Sequence, residues 1–290
     1  MQFRTEINIR PSKTLRISHA DKIFMLGSCF TDNIGALLER DGFDVTHNPM
    51  GPCFHPAPLL SSIERFLGTR PEIHTSDFKY NSEDGKYHCL DFPLRYSDAD
   101  PEALAALTNT HILAASENLR NATTVIITLG TAYGYALAED SQSDRPVGNC
   151  HKFPATCFVR SLTSLDNLRT MVSEIIRLLS DKKLIFTVSP IRHLGDGLHG
   201  NQISKSSLIL AIDAELKDKD AEYFPSYEIM LDDLRDYRFY AADMKHPSDV
   251  AIEYIYSQFS TAYFNKDTCA RAAEARAKAA RMAHRPILQP

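Results

Sequence analysis

The chain lacks the features that mark several large protein classes. It has no apolar run of membrane-spanning length, and Met1 to Arg10 mix charged with apolar side chains, so neither an anchor nor a signal peptide is expected. Its six cysteines (Cys29, Cys53, Cys89, Cys150, Cys157 and Cys269) are scattered, with no Cys-x-x-Cys pair, which argues against a disulfide framework. A cytoplasmic location is the resulting expectation. Neither sign of charge dominates. A net charge of -5 with a pI near 6.1 gives no reason to expect a nucleic-acid partner. There is no G-x-G-x-x-G and no P-loop, so dinucleotide and nucleoside-triphosphate enzymes are disfavoured and no cofactor is expected. His193, His199 and Asp196 share one loop, but no cysteine or helical His-x-x-x-His spacing supports zinc there, and no metal is expected.

What is present is enough to build a full core, since 43% of 290 residues are hydrophobic, and the length suits one large domain. The chain is organised around Lys22-Ile23-Phe24-Met25-Leu26-Gly27-Ser28-Cys29-Phe30. The short bounded apolar run reads as a strand buried on both faces, as in a parallel sheet. After it, Phe30, Ile34, Leu37 and Leu38 fall at helical spacing and Gly42 stands where a helix ends. Strand, tight turn and helix place Ser28 at the carboxyl edge of a sheet and at a helix N-terminus, where backbone N–H groups favour developing negative charge. The bland reading of Ser28 is an N-cap. Cys29, one step into the helix, is expected to be buried.

Further along, Phe43 to Thr46 reads as a strand running into His47-Asn48-Pro49-Met50-Gly51-Pro52, and Leu59 to Leu67 as a helix. Residues 77–96 read as an inserted hairpin around Ser82-Glu83-Asp84-Gly85. Asp100-Pro101-Glu102 opens a helix, Thr123 to Leu129 is the strongest strand, and Asp140 to Pro154 is irregular. A helix follows from Leu165 with Ser164 as its cap, then a strand from Lys183 to Val188, a helix from about Ser204 to Leu216, and Tyr227 to Leu231 as the last strand. Alternating strands and helices imply a parallel, doubly wound sheet, with ligands bound outside the carboxyl ends of the strands. Ser28, Gly51, Gly130 and His193 all lie at such ends.

A serine hydroxyl needs a base to become a nucleophile, and that base needs an acid to fix its tautomer. Asp243 and His246, in the loop before a helix opened by Pro247 and Ser248, complete the order Ser28, Asp243, His246.

Here the sequence resembles a known family. Gly27-Ser28-Cys29-Phe30 is the signature of the GSCFA-domain proteins. Asn48-Pro49-x-Gly51, Leu129-Gly130-Thr131, Asn149-Cys150-His151-Lys152, Ser189-Pro190-Ile191-Arg192-His193 and Lys245-His246-Pro247-Ser248 look like its further motifs. That family is similar in turn to the SGNH/GDSL hydrolases. The resemblance implies a three-layer α/β/α sandwich with a central parallel sheet, of SGNH or flavodoxin-like type, over residues 1–265, followed by an Ala/Arg-rich tail at 266–290. It also implies cleavage of an ester, such as an acyl group on a carbohydrate or glycan, with Ser28 as nucleophile, His246 as general base and Asp243 as its orienting carboxylate. The oxyanion would be held by the N–H groups of Ser28 and Gly51. The SGNH asparagine after the third strand is replaced by Ala132, and Asn149 is the expected substitute. Arg192, His193, His151 and Lys152 are candidate substrate contacts. Transfer to a sugar hydroxyl instead of water, glycan binding without cleavage, and a scaffold that self-associates through the tail remain open on sequence grounds.

Overall fold

The computed structural model describes residues 5–138 and 145–283. Strand β1 (Lys22–Gly27) leads into α1 (Cys29–Arg40) and β2 (Asp44–His47), then α2 (Pro56–Phe66). A small antiparallel sheet follows, formed by β3 (Lys79–Asn81), β4 (Lys86–His88) and β5 (Ser97–Asp98). Helix α3 (Pro101–Asn121) then delivers β6 (Thr124–Leu129). The ribbon β7 (Tyr133–Leu137) and β8 (Phe158–Leu162) comes next, with α4 (Leu165–Leu178) and β9 (Lys183–Val188) after it. The chain continues with α5 (Gly197–Glu215), β10 (Ala221–Phe224), α6 (Ser226–Leu231), α7 (Asp249–Tyr263) and α8 (Lys266–Ala283).

The central sheet has the order β10-β9-β6-β1-β2 with every pairing parallel. All six residues of β6 are buried, which is why it reads as an unbroken apolar run rather than an alternating one. Period two sorts the strands between two cores. Phe24, Leu26, Val125, Ile127, Leu184 and Phe186 pack with α2, α3, α4 and α5. Ile23, Met25, Ile126 and Ile185 pack with α1, α6, α7 and α8. The result is an α/β/α sandwich with helices on both faces of one parallel sheet.

Local chemistry explains the boundaries that matter for the site. Asp100 caps α3 by accepting from the N–H of Glu102 at 2.9 Å, and Pro101 at the first position gives up no bond. Ser164 caps α4 through Asn167 N–H.

Several expectations change. Tyr227–Leu231 lies in helix α6, and the last strand is Ala221–Phe224, a short edge strand. The stretch after Gly130 forms β7 and β8, paired from Tyr133 against Leu162 to Leu137 against Phe158. Of the irregular stretch expected at Asp140–Pro154, residues 140–144 lie outside the described residues. The inserted hairpin at 77–96 is present and gains a third strand at Ser97–Asp98. Residues 5–14 carry no strand, although Ile7 N–H is fixed by Asp233 Oδ1 at 2.8 Å.

Helix α8 is docked. Ala272 is buried, and the Arg276 guanidinium pairs with Asp41 at the end of α1. The Asp41 side chain is fully buried and also takes Arg40 Nε at 2.9 Å and the Tyr256 hydroxyl at 3.0 Å. These partners hold its carboxyl below the ordinary range against the opposing effect of burial.

Candidate active site

The site begins at the turn between β1 and α1. Gly27 has φ +145°, and a Cβ there would stand 2.1 Å from the carbonyl oxygen of Thr128, so only glycine fits. Asn48, buried at φ +39°, holds this turn from the side. Its Oδ1 accepts from Gly27 N–H at 2.9 Å, and its Nδ2 donates to the Ser28 carbonyl at 3.3 Å and to Asp32 Oδ1 at 2.9 Å.

Ser28 is tied into this turn, with no acceptor for its O–H among the described residues. Its N–H donates to Thr128 O at 3.2 Å, its carbonyl accepts from Thr31 N–H, and its hydroxyl caps α1 by accepting from Phe30 N–H at 3.3 Å. The residue is 0% exposed, and no hydrogen bond joins it to His246 among the described residues. The capping bond leaves the Ser28 O–H free to donate.

Cys29 is the first residue of α1. It is half-buried and lines a cleft of about 510 Å³ together with His246. Phe54 and His55 after β2, Thr131 after β6, Tyr133 and Tyr135 of β7, Arg160 of β8, Asn149, and Ile191 to Asp196 after β9 also line it. The cleft thus sits at the carboxyl ends of the strands, as the topology requires.

His246 and Asp243 form a tight pair. Asp243 Oδ1 accepts from the N–H groups of Lys245 at 2.9 Å and His246 at 3.0 Å, while Oδ2 meets His246 Nδ1 at 2.5 Å. The His246 backbone N–H, then its ring and the Lys245 N–H, hold the Asp243 carboxyl well below the usual carboxylate range. An ionised Asp243 requires Nδ1 to carry the ring proton, which leaves Nε2 free to accept one. Two backbone bonds fix the loop: Arg192 N–H to Lys245 O at 3.0 Å and Ala241 N–H to His246 O at 2.7 Å.

The remaining expected residues divide. Arg192 and His193 are in the cleft wall. The Arg192 guanidinium lies 3.9 Å from the centre of the Tyr240 ring, and burial, with the charge of Lys205, pushes His193 down to about 4, so it is neutral. Asn149 also lines the cleft. Its Oδ1 accepts from His151 N–H at 2.9 Å, and its Nδ2 has no partner among the described residues. Gly51 does not reach the cleft. Its N–H closes a turn on Asn48 O at 2.7 Å, and Pro93 Cγ would stand 2.5 Å from an added Cβ.

His151 points away from the cleft, buried against His88 (Nδ1 to Nδ1, 2.9 Å) and the Phe92 carbonyl (2.5 Å). Its role here is to fasten the segment that carries Asn149 to the small antiparallel sheet. Lys152 is exposed outside the cleft. Ala132 is fully buried, with its N–H on Ser204 Oγ at 2.8 Å, so it leaves room for no donor at that position.

Sequence reasoning missed three participants. His55 caps α2 by accepting from Ala57 N–H at 3.1 Å and bonds Thr163 Oγ1 at 2.9 Å through its other nitrogen. Burial pushes it down to about 4, so it is neutral. The signal available was His55-Pro56, a cap and first-turn proline. Arg160 pairs with Asp196 across the cleft and lies over the Tyr133 ring at 4.4 Å. Lys205, fully buried beneath the floor, donates to Gly130 O at 2.6 Å and Ser189 O at 2.8 Å and so ties the ends of β6 and β9 together.

Fold and cleft together define an α/β protein whose Asp–His pair opens onto the first turn of a helix at the edge of a parallel sheet. The GSCFA family profile matches residues 22–259, and the chain belongs to the GSCFA family. No curated protein matches it by sequence. Among solved structures it is similar to a family 3 carbohydrate esterase of Clostridium thermocellum, at 12% identity over 89% of this chain and 98% of that one, with a TM-score of 0.36.

Proposed function

We propose that this protein is an esterase-type hydrolase that removes a small acyl group from a carbohydrate or similar polyol through an acyl-enzyme. The observation that carries the reading is the Asp243–His246 pair, with Nδ1 held by a carboxylate and Nε2 free, opening into the same cleft as the N-terminal turn of α1. That constellation suits acyl transfer. His246 takes a proton from the nucleophile and returns it to the leaving alcohol, and Asp243 stabilises the imidazolium between the two steps.

The oxyanion donors differ from the expected set, because the N–H groups of Ser28 and Gly51 are already bonded. The donors in reach of the cleft are the Cys29 N–H, at the positive end of α1, and the Asn149 side-chain amide. A cleft of about 510 Å³ walled by Phe54, Tyr133, Tyr135, Arg160 and Arg192 is sized and furnished for a sugar, with ring faces for stacking and guanidinium groups for hydroxyls.

Hydrolysis of p-nitrophenyl acetate and of acetylated monosaccharides tests this. His246→Ala should lower kcat by about 10²–10⁴, and Asn149→Ala by about 10²–10³. A folded wild type inert towards all of these esters, or a His246→Ala variant as fast as wild type, overturns the reading.

A further inference from the structure

We infer that the substrate of this cleft carries a carboxylate and that Arg192 is the group that binds it. The inference rests on the hydrolase reading above and names the chemistry of the molecule acted on.

The charge of the cleft runs against that of the chain. The sequence carries a net charge of -5, yet the charged residues that line the cleft are Arg160, Arg192 and Lys245 against Asp196 alone. Asp196 is paired with Arg160, and Asp243 is paired with the His246 ring. Arg192 and Lys245 therefore face the cleft with no carboxylate partner among the described residues. An anionic group on the substrate would complement this excess of positive charge.

Arg192 is held in a way that suits such a group. It is half-buried, and its guanidinium lies 3.9 Å from the centre of the Tyr240 ring and 5.3 Å from that of Tyr237. Stacking occupies the face of the guanidinium. Beyond a contact with the Tyr240 hydroxyl, its edge N–H donors are left for a planar acceptor. The backbone is held as well: Arg192 N–H donates to Lys245 O at 3.0 Å, one residue before His246, so the guanidinium rises beside the loop that carries the base.

His193 supplies an independent signal. It also lines the cleft, and its Nε2 is buried with no partner among the described residues. A buried polar atom left unpaired is costly, and a polar substrate atom would satisfy it. Burial, and then the charge of Lys205, keep this ring neutral, so it offers a polar contact and no charge. The charge in the wall is that of Arg192. One guanidinium matches one planar, singly charged carboxylate through two parallel hydrogen bonds. Arg160, already paired with Asp196, is left to sugar hydroxyls. The carboxylate can belong to the sugar or to the acyl group, and the chemistry that recognises it is the same.

The test uses the full chain and two matched pairs of esters. Acetylated methyl glucuronide and acetylated methyl glucoside differ in a carboxylate on the sugar, and the hemisuccinate and butyrate of methyl glucoside differ in one on the acyl group. In one pair kcat/KM should favour the acidic member by about 10–100-fold, the scale of hydrogen bonds to a charged group. The pair that shows the preference identifies its source. Arg192→Gln should bring the preference below about threefold, mainly through KM, and Arg192→Lys, which keeps the charge but not the planar fork, should restore part of it. Added salt should erode it. Calorimetric titration with methyl glucuronide and with succinate reads the site without turnover: one of the two should bind wild type at least about tenfold more tightly than it binds Arg192→Gln. Acidic esters no better than neutral ones in both pairs, or a preference that survives in a folded Arg192→Gln variant, overturns the assignment and leaves the hydrolase reading standing. Arg192-dependent binding of either acid by a wild type that turns over no ester upholds the carboxylate site and removes the hydrolase reading. Neither turnover nor binding removes both.

Discussion

Replacing Asn48 by alanine probes the turn between β1 and α1. The side chain is buried and makes three hydrogen bonds, to Gly27 N–H, Ser28 O and Asp32 Oδ1. Alanine leaves the Gly27 N–H unpaired inside the protein, at about 1–3 kcal/mol. It also places an ordinary residue at φ +39°, at a further cost of about 1–2 kcal/mol that asparagine largely escapes. Asp32, with 38% of its side chain exposed, turns to water and adds little. The expected loss is therefore about 2–5 kcal/mol, or a fall in Tm of about 4–20 °C at roughly 2–4 °C per kcal/mol. Asn48→Gly removes the strain but not the lost bonds, so it should recover about 1 kcal/mol relative to alanine. Urea unfolding followed by circular dichroism measures both, and Cys29 alkylation reports whether the thiol has moved. A loss under about 1 kcal/mol for Asn48→Ala, or a glycine variant no more stable than the alanine one, refutes the reasoning.

Lys205 makes stability depend on pH. Burial pushes its ammonium down to about 7, whereas the unfolded side chain titrates near 10.4, so between those values the unfolded chain binds the extra proton and stability rises with pH. Relative to Lys205→Met, the wild type should gain about 1.4 kcal/mol per pH unit from about pH 7.5 to 9.5 in urea unfolding; a constant difference refutes this. At the far side of the molecule, Arg276→Ala leaves buried Asp41 with Arg40 and Tyr256, so the loss should be about 1–2 kcal/mol rather than that of an abandoned charge. Asp41→Asn in the same chain should rescue part of it, and strictly additive effects on Tm would disprove the coupling.

Elements that bury one continuous run or carry their own caps were legible in the sequence. β1, β6 and β9 announce themselves by unbroken apolar residues, and Asp100 and Ser164 by their capping chemistry. Failures occurred where burial is shared unevenly. β10 is an edge strand that alternates poorly, and α6 is buried on enough sides to lose helical period, so the strand was placed one element too late. The β7–β8 ribbon pairs residues 20 or more positions apart and exposes much of its surface, so no local signal joins its halves. The local contact of Asp243 with His246 and the first turn of α1 were also legible. How the turn around Ser28 is held was not, because that depends on the backbone at Gly27 and on side-chain bonds made 20 residues away by Asn48.

The ribbon of β7 and β8 gives the cleft a division of labour. Cys29, His246 and the Lys205 tie belong to the five-stranded sheet and its flanking loops and helices, whereas Tyr133, Tyr135 and Arg160 ride on a separate two-stranded unit. Under the proposed hydrolase reading, reacting groups and selecting groups would be carried on different mechanical parts. On that reading, substitutions along the ribbon would reshape which alcohol is accepted while the five-stranded sheet and its loops stay as they are, one strand residue at a time.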